Sequence, residues 1–419
     1  MDTYAKVLMV LILGIFTLVI IELVYAYAIN KFHFRAMDLI SSLSAGMTNV
    51  IKNVLGLTIV VFGYNFLFIH FAIAPLSIEW YTYLIALIGL DFATYWYHRL
   101  AHKVNIFWNR HVIHHSGEDF NIATALRQSI SKFVNISVLF LLPSALLGVP
   151  PKVILMIAPF HLFIQVWYHT TYIGKLGWLE YIIVTPSQHR VHHAMNKVYM
   201  DKNMSPVFCV WDRLFGTFQE ELDEEPCVFG VTKQVKTWNP ILINLNHLWL
   251  LTQDAWRTNS LKDKFRIWFM PTGWRPADVA EKYPVVSADP KNFVKYDTEA
   301  SFPLKIWSWF QFAMLLMMTF HLLYAIVAIG SPSIFVYGLF LFFMVYCYTS
   351  LMDRNPNTIW MEIVKVVFGF SILFQFEGWF GVDDIVNGGS FFMFFYLIAS
   401  FIVVGYFVFF DIRVEKIKK

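Results

Sequence analysis

Nine apolar runs, each long enough to cross a lipid bilayer, constrain this chain before anything else does; they lie at about 8–28, 54–74, 81–97, 133–149, 153–170, 306–329, 334–352, 358–376 and 390–410. A spanning helix needs about 20 predominantly apolar residues, with about 17 as the lower limit. The runs 81–97 and 153–170 sit at that limit and are expected to tilt little or to end within the membrane face. The first run is too long for a signal-peptide core and has no small-residue cleavage site after it, so it reads as the first membrane helix. A soluble domain has about 25% charged residues. Here 15% are charged and 58% hydrophobic, with a mean hydropathy of +0.55. The expected architecture is an all-α integral membrane protein of about nine transmembrane helices.

Basic residues near helix ends set orientation. Lys31, Arg35 and Lys52 follow the first run and only Lys6 precedes it, so the segment after it is expected to face the cytoplasm. The later runs then pair as hairpins. Their far-side turns hold one basic residue, Lys152, while the near side holds Arg99, Lys103, Arg110, Arg127, Arg354, Arg413, Lys416, Lys418 and Lys419. The expected organisation is N-terminal membrane helices over 1–80, a histidine-rich core over 81–225, a cytoplasmic or interfacial tract over 226–302 and a C-terminal four-helix membrane region over 303–419. The net charge of +3, with scattered basic residues, gives no footprint for nucleic acid. Cys209, Cys227 and Cys347 lie far apart and suggest neither a disulfide framework nor a thiolate zinc site.

The remaining chemistry is histidine, in three clusters that all fall on the near side. "HRLAH" places His98 and His102 at i and i+4, on one helix face. "WNRHVIHHSGEDF" supplies His111, His114 and His115, and "TPSQHRVHHAMN" repeats that spacing with His189, His192 and His193. Eight imidazoles on three helical pieces can surround two metal ions, and imidazole suits iron, zinc, copper or nickel. Arg99 stands where the general base of an HExxH zinc protease would be, which excludes that hydrolase. A nearly all-nitrogen shell beside a bilayer suits oxygen activation against a C–H bond better than water activation, although zinc accepts the same ligands. His161 is a candidate extra ligand if its helix passes alongside the centre. Ligating imidazoles usually give their second N–H to a carboxylate or carbonyl; Glu118, Asp119, Asn121, Asn196, Asp201 and Asn203 are the nearby candidates. Arg127 and Gln128 are read as a contact to a lipid head group or hydroxyl, Arg127 more as a positive-inside anchor. Glu362 and Lys365 read as an i, i+3 pair that snorkels. His33, His70, His247 and His321 read as interfacial or packed.

The spacing HxxxH, HxxHH, HxxHH in a multi-helix membrane chain resembles the fatty acid hydroxylase and sterol desaturase superfamily of membrane di-iron oxygenases. Within it, "DFATYWYHRLAHKVNIFWNRHVIHHSGEDFNIATALRQS", "WYHTTYIGKLGWLEYIIVTPSQHRVHHAMN" and "PTGWRP" are similar to the alkylglycerol monooxygenases. The resemblance implies that the eight box histidines bind two irons in a cytoplasmic cap and that His169 adds a ligand. It further implies that O2 is reduced to hydroxylate a membrane lipid. In the ether-cleaving members, hydroxylation beside the ether oxygen gives a hemiacetal that collapses to a fatty aldehyde and a glycerol derivative. Lys103 stands where those enzymes are expected to carry an acidic residue. A reversed charge beside a ligand changes the local field, and it bears on the electron donor, an external reductase or tetrahydropterin. Zinc can substitute for iron in such a site. The membrane implied is a bacterial inner membrane or the endoplasmic reticulum. The alternative readings are a sterol, carotenoid or amino-lipid hydroxylase or desaturase and, from another class, a zinc-binding membrane hydrolase or transporter. A transporter, however, would place its ligands near mid-bilayer.

Overall fold

The computed structural model describes residues 2–60, 63–132 and 134–412. Arg413, Lys416, Lys418 and Lys419, counted above among the near-side basic residues, lie outside the described residues. Among the described residues, five helices are long and apolar enough to cross a membrane: Ala5–Ala28, Phe302–Ile329, Ser333–Met352, Thr358–Gln375 and Gly389–Ile412. The chain is thus multi-pass, but four of the nine expected spans do not form as such, and the reasons are local. The run 54–74 breaks at Gly56, which has φ of +65°, and resumes as the eight-residue helix Tyr64–Phe71. The run 133–149 carries Pro143 and stops at Gly148, where φ is +76° and a Cβ would stand 1.8 Å from the Ala74 carbonyl oxygen. The run 153–170 yields a 13-residue helix, Pro151–Phe163, with Pro159 inside it. The run 81–97 is helical, within Trp80–Lys103, but that helix carries Asp91, His98, Arg99, His102 and Lys103 and is built for the site. The all-α expectation also meets one exception, a two-residue parallel ladder pairing Ile59 with Val134 and Val60 with Asn135.

The helix Ala36–Val54 falls in the segment read as cytoplasmic, yet it is buried along almost its whole length. It packs against Phe302–Ile329, Ser333–Met352 and the 3-10 turn Ile122–Leu126 that follows the second histidine box. Polar residues survive there because their hydroxyls bond back along the helix, Ser42 to the Asp38 carbonyl at 2.9 Å and Ser44 to that of Ile40 at 2.5 Å. Through this helix the histidine-bearing core rests on the C-terminal bundle. Arg127 is part of the same joint. It is 2% exposed and meets Asp38 Oδ1 at 3.3 Å and Ser42 Oγ at 3.0 Å, so it is a buried fastener rather than a surface anchor.

Glu362 and Lys365 also depart from expectation. Both are 1% exposed, paired at 2.7 Å and joined by Ser400, which accepts from Lys365 at 2.8 Å and donates to Glu362 at 2.6 Å. They face the bundle and do not snorkel, because they pair with each other and Ser400 on the last helix bridges them. Removing one partner of a buried pair costs about 3–5 kcal/mol, while replacing both with apolar residues is often neutral. Lys365→Met is therefore expected to lower the melting temperature in detergent sharply, and Glu362→Leu with Lys365→Met to restore most of it.

Candidate metal centre

The first box sits on the last two turns of Trp80–Lys103, and the second on the one-turn helix Val112–His115 with His111 before it. The third lies on Pro186–His193, which Thr185 and the N-terminal Pro186 start in the way proline is suited to do. His169 lies at the end of the broken 153–170 run, beyond its helix Pro151–Phe163. Their ring nitrogens converge in two groups, each with all donor atoms within 4.8 Å: His98, His102, His111, His115 and His192 in one, His114, His169, His189 and His193 in the other. The groups adjoin, with His115 and His193 stacked at 4.4 Å between ring centroids.

The donor set fits a metal in each group. His98 Nδ1 donates to the Met204 carbonyl at 2.8 Å and His192 Nδ1 to that of Lys202 at 2.9 Å. The Nε2 atoms of both rings are therefore left as lone-pair donors. His98 Nε2 nevertheless stands 2.8 Å from His111 Nε2, and His189 Nε2 stands 2.9 Å from that of His169 and 3.0 Å from that of His193. Nitrogens sharing one metal at about 2.0–2.1 Å stand about 3.0–3.4 Å apart for octahedral to tetrahedral angles. The Nε2 atoms of His102, His115 and His192 are buried without a hydrogen-bond partner. Burial first, and neighbouring imidazoles second, hold seven of the rings well below the usual imidazole range. Burial also takes His169 down to about 3 and lowers His102, where Asp201 opposes it. All nine are neutral near pH 7, the form that binds metal.

A fatty acid hydroxylase family model matches residues 83–217, a segment that holds all nine of these histidines. The chain is 33% identical to alkylglycerol monooxygenase of Homo sapiens over 367 residues, 86% of this chain and 80% of the relative. Against alkylglycerol monooxygenase of Xenopus tropicalis it is 31% identical, over 84% of this chain and 78% of the relative. The chain belongs to the fatty acid hydroxylase family. A shorter match, 32% over 152 residues, is to an ornithine lipid hydroxylase of Rhizobium tropici, covering 36% of this chain and 46% of that protein. No solved structure matches the chain.

In this family member the side chains expected to orient the imidazoles mostly do other work. Among the described residues, Asp201 alone of the six meets a box histidine: Oδ1 faces His102 Nδ1 at 3.6 Å while Oδ2 takes Lys103 Nζ at 2.6 Å. The basic residue after the first box thus holds the carboxylate that faces His102. Glu118 instead accepts from Gln234 at 2.9 Å and from the Tyr296 backbone at 2.6 Å, and Asp119 pairs with Arg35 and Lys295. Asn121 starts the 3-10 turn, Asn196 holds Glu225 and the Pro226 carbonyl, and Asn203 bridges Gln188 and Gln219. His161 is not in either group. Its Nε2 donates to Asp91 at 2.9 Å and its Nδ1 accepts from Gln165 at 3.2 Å, so neither nitrogen is left for a metal. His247 bonds the Asn105 carbonyl at 3.1 Å. Replacing Asp201 with Gly, which tolerates the φ of +59° found there, is expected to weaken metal retention roughly tenfold in a chelator challenge.

Three carboxylates that the sequence reading passed over position the site. Asp91, 0% exposed, accepts from His161, the backbones of Val207 and Phe208 and the Trp211 indole. Asp212 accepts from the Met204 and Ser205 backbones at 2.7 and 2.9 Å, which fixes the Met204 carbonyl that holds His98. Glu22, on the first membrane helix, accepts from Thr170 at 2.6 Å and the Ile122 backbone at 2.8 Å, and so ties that helix to the segments beside His169 and the second box. A lone charge inside an apolar run, as at Asp91 and Glu22, was the available signal. The histidines His98, His111, His114, His169 and His189 form one wall of a cavity of about 550 Å³. Leu8, Ile12 and Phe16 of the first membrane helix, with Leu90 and Ala93, line it too.

Proposed function

We propose that the chain is an O2-dependent di-iron lipid monooxygenase acting preferentially on the carbon beside the ether oxygen of an alkylglycerol. The observation that carries this reading is nine neutral imidazoles, most of them buried, in two adjoining groups that face an apolar chamber shared with a membrane helix. One iron would be held by His98, His102, His111, His115 and His192, the other by His114, His169, His189 and His193. Bound there, the irons supply the reduction of O2 and the transfer of one oxygen atom to a C–H bond. The chain's own residues do the rest. Leu8, Ile12, Phe16, Leu90 and Ala93 solvate an alkyl chain and exclude water, so the lipid can enter from the bilayer where it is already dissolved. The carbonyls of Met204 and Lys202 keep the protons of His98 and His192 on Nδ1. The balance consumes the ether lipid, O2, two electrons and two protons, and gives the hydroxylated ether and water. The resulting hemiacetal splits into fatty aldehyde and a glycerol derivative. The electrons come from an external reductase or a tetrahydropterin, and the histidine boxes face the cytoplasm.

The extent of the matches supports the ether substrate, since the alkylglycerol relatives align over more than four-fifths of the chain and the ornithine lipid hydroxylase over about a third. That shorter match favours amino-lipid hydroxylation as the second reading. The test is anaerobic metal analysis of the purified protein, then addition of reductant, an alkylglycerol and O2. Two irons per chain with O2-dependent aldehyde is the expected result. Two irons with oxygen added to an amino-lipid and no aldehyde moves the substrate to the second reading, and O2-independent lipid turnover by a zinc form overturns both.

A further inference from the structure

The cavity wall carries a cation that nothing in the described chain neutralises. Lys132 lines the chamber, with its ammonium 4.9 Å from the centroid of the Tyr97 ring, and it forms no ion pair. Two more cations stand near it. Lys52 is 4% exposed and reaches only the Ser129 carbonyl, at 3.4 Å. Arg110 lies over the Phe107 ring, and its Nη1 is buried without a hydrogen-bond partner. The charges feel one another, since burial first, then Lys52 and Arg110, push the Lys132 ammonium down to about 8. No carboxylate acts on Lys132 or Lys52. Asn49 donates to the same Ser129 carbonyl at 2.8 Å, which places it beside Lys52, and Asn49, Tyr97 and Gln128 line the chamber with Lys132.

Buried charge is ordinarily paired, because desolvation is otherwise uncompensated. Elsewhere in this protein the rule is followed: Arg127 has Asp38, Lys365 has Glu362 and Arg275 has Asp254. Lys52 has a partial local explanation, since it sits in the last turn of its helix, where the macrodipole favours a cation. That accounts for one charge of the three. We propose that Lys132, Lys52 and Arg110 form a subsite for the phosphate-class anionic head group of a single-chain lipid whose alkyl chain occupies the chamber. A guanidinium offers a planar fork to phosphate oxygens and an ammonium a compact point charge, so the set is chemically matched to such a group. The inference deepens the proposed function and rests on its reading of the chamber as the lipid site; the alkylglycerols bound there then include ones that carry a phosphate on the glycerol.

The test is binding, with the full-length protein in nonionic detergent and no phospholipid, using hexadecyl phosphate and hexadecanol as probes. Wild type is expected to hold the phosphate at least about tenfold more tightly, and Lys132→Met to bind the two within about twofold of each other. Lys132→Arg keeps the charge and the preference, and Lys262→Met, at an exposed site, changes nothing. Because Lys132 is an uncompensated cation, Lys132→Met without probe should melt no lower than wild type, and it should lose the thermal stabilisation that hexadecyl phosphate gives. Equal binding of both probes by wild type, or a preference kept by both Lys132→Met and Lys52→Met, overturns the subsite. Doping the micelles with a two-chain phosphatidate separates the sources: if it displaces hexadecyl phosphate equally well, the cations read a bilayer head group and the substrate assignment falls. Turnover plays no part, so failure of oxygenation leaves this test intact, and loss of the preference leaves the proposed chemistry intact.

Discussion

On the proposed function, His114→Ala and His192→Ala are each expected to abolish aldehyde production, and the first to release more metal than the second. The asymmetry follows from the donor counts. His114 belongs to the group of four imidazoles, so its loss leaves three, while His192 belongs to the group of five and its loss leaves four. A four-coordinate protein site is closed, and one with three protein ligands keeps an open position, so the His114 variant is expected to retain little more than one iron per chain. The His192 variant should hold its second iron weakly and lose it to a chelator. Neither change should unfold the protein, because the imidazoles are uncharged and meet one another rather than the surrounding backbone; His192 forfeits only its bond to the Lys202 carbonyl. His247→Ala, which loses a single bond to the Asn105 carbonyl, should keep both metal and activity. Iron per folded chain and O2-dependent aldehyde are the two readouts. Full activity in both ligand variants would sink the assigned centre.

The site was more legible in the sequence than the fold was. Eight of the nine histidines announce themselves by spacing, since i, i+3 and i+4 put rings on one face whatever the rest of the chain does. His169 has no such partner and came only through the family resemblance. The flanking carboxylates misled because closeness in sequence does not fix direction: Glu118 and Asp119 turn away from the boxes to Tyr296, Arg35 and Lys295. For the membrane runs, length and composition cannot separate a bilayer crossing from a run broken into short elements, and 133–149 and 153–170 are the latter. Pro143, Gly148 and Pro159 were the visible warnings. The burial of Ala36–Val54 was not legible at all. Ser and Thr are residue types mostly found exposed, and packing between the bundle and the Ile122–Leu126 turn is what removes them from water here. Lys103, a reversed charge expected to bear on the electron donor, pairs with Asp201 and so brings a carboxylate to His102 from another segment.

Asp91→Ala is expected to lower stability by about 3–5 kcal/mol, the range for leaving buried partners of a charge uncompensated. Asp91 precedes His98 by seven residues, two turns along the same face of Trp80–Lys103. Its carboxylate takes the backbones of Val207 and Phe208 and the Trp211 indole, while His98 takes the Met204 carbonyl. The segment 204–211 is thus stitched to one helix face at two points, and the upper stitch is the one that orients a ligand. Asp91→Asn should be nearly as harmful, because an amide nitrogen would face either the pair of donors on Oδ1, from His161 and Val207, or the pair on Oδ2, from Phe208 and Trp211. His161→Ala removes one donor and leaves three, so its effect should be smaller, roughly 1.5–3 kcal/mol for a hydrogen bond to a charged group. The melting temperature in detergent, measured with and without chelator, separates this positioning role from ligation. Wild type and Asp91→Ala should both be stabilised by retained iron, with the variant lower in either state. His114→Ala, left with little more than one iron, should instead show a smaller chelator-dependent shift than either. If Asp91→Ala matches wild type in both conditions, the carboxylate is dispensable and the segment 204–211 is held by Asp212 and its own turns.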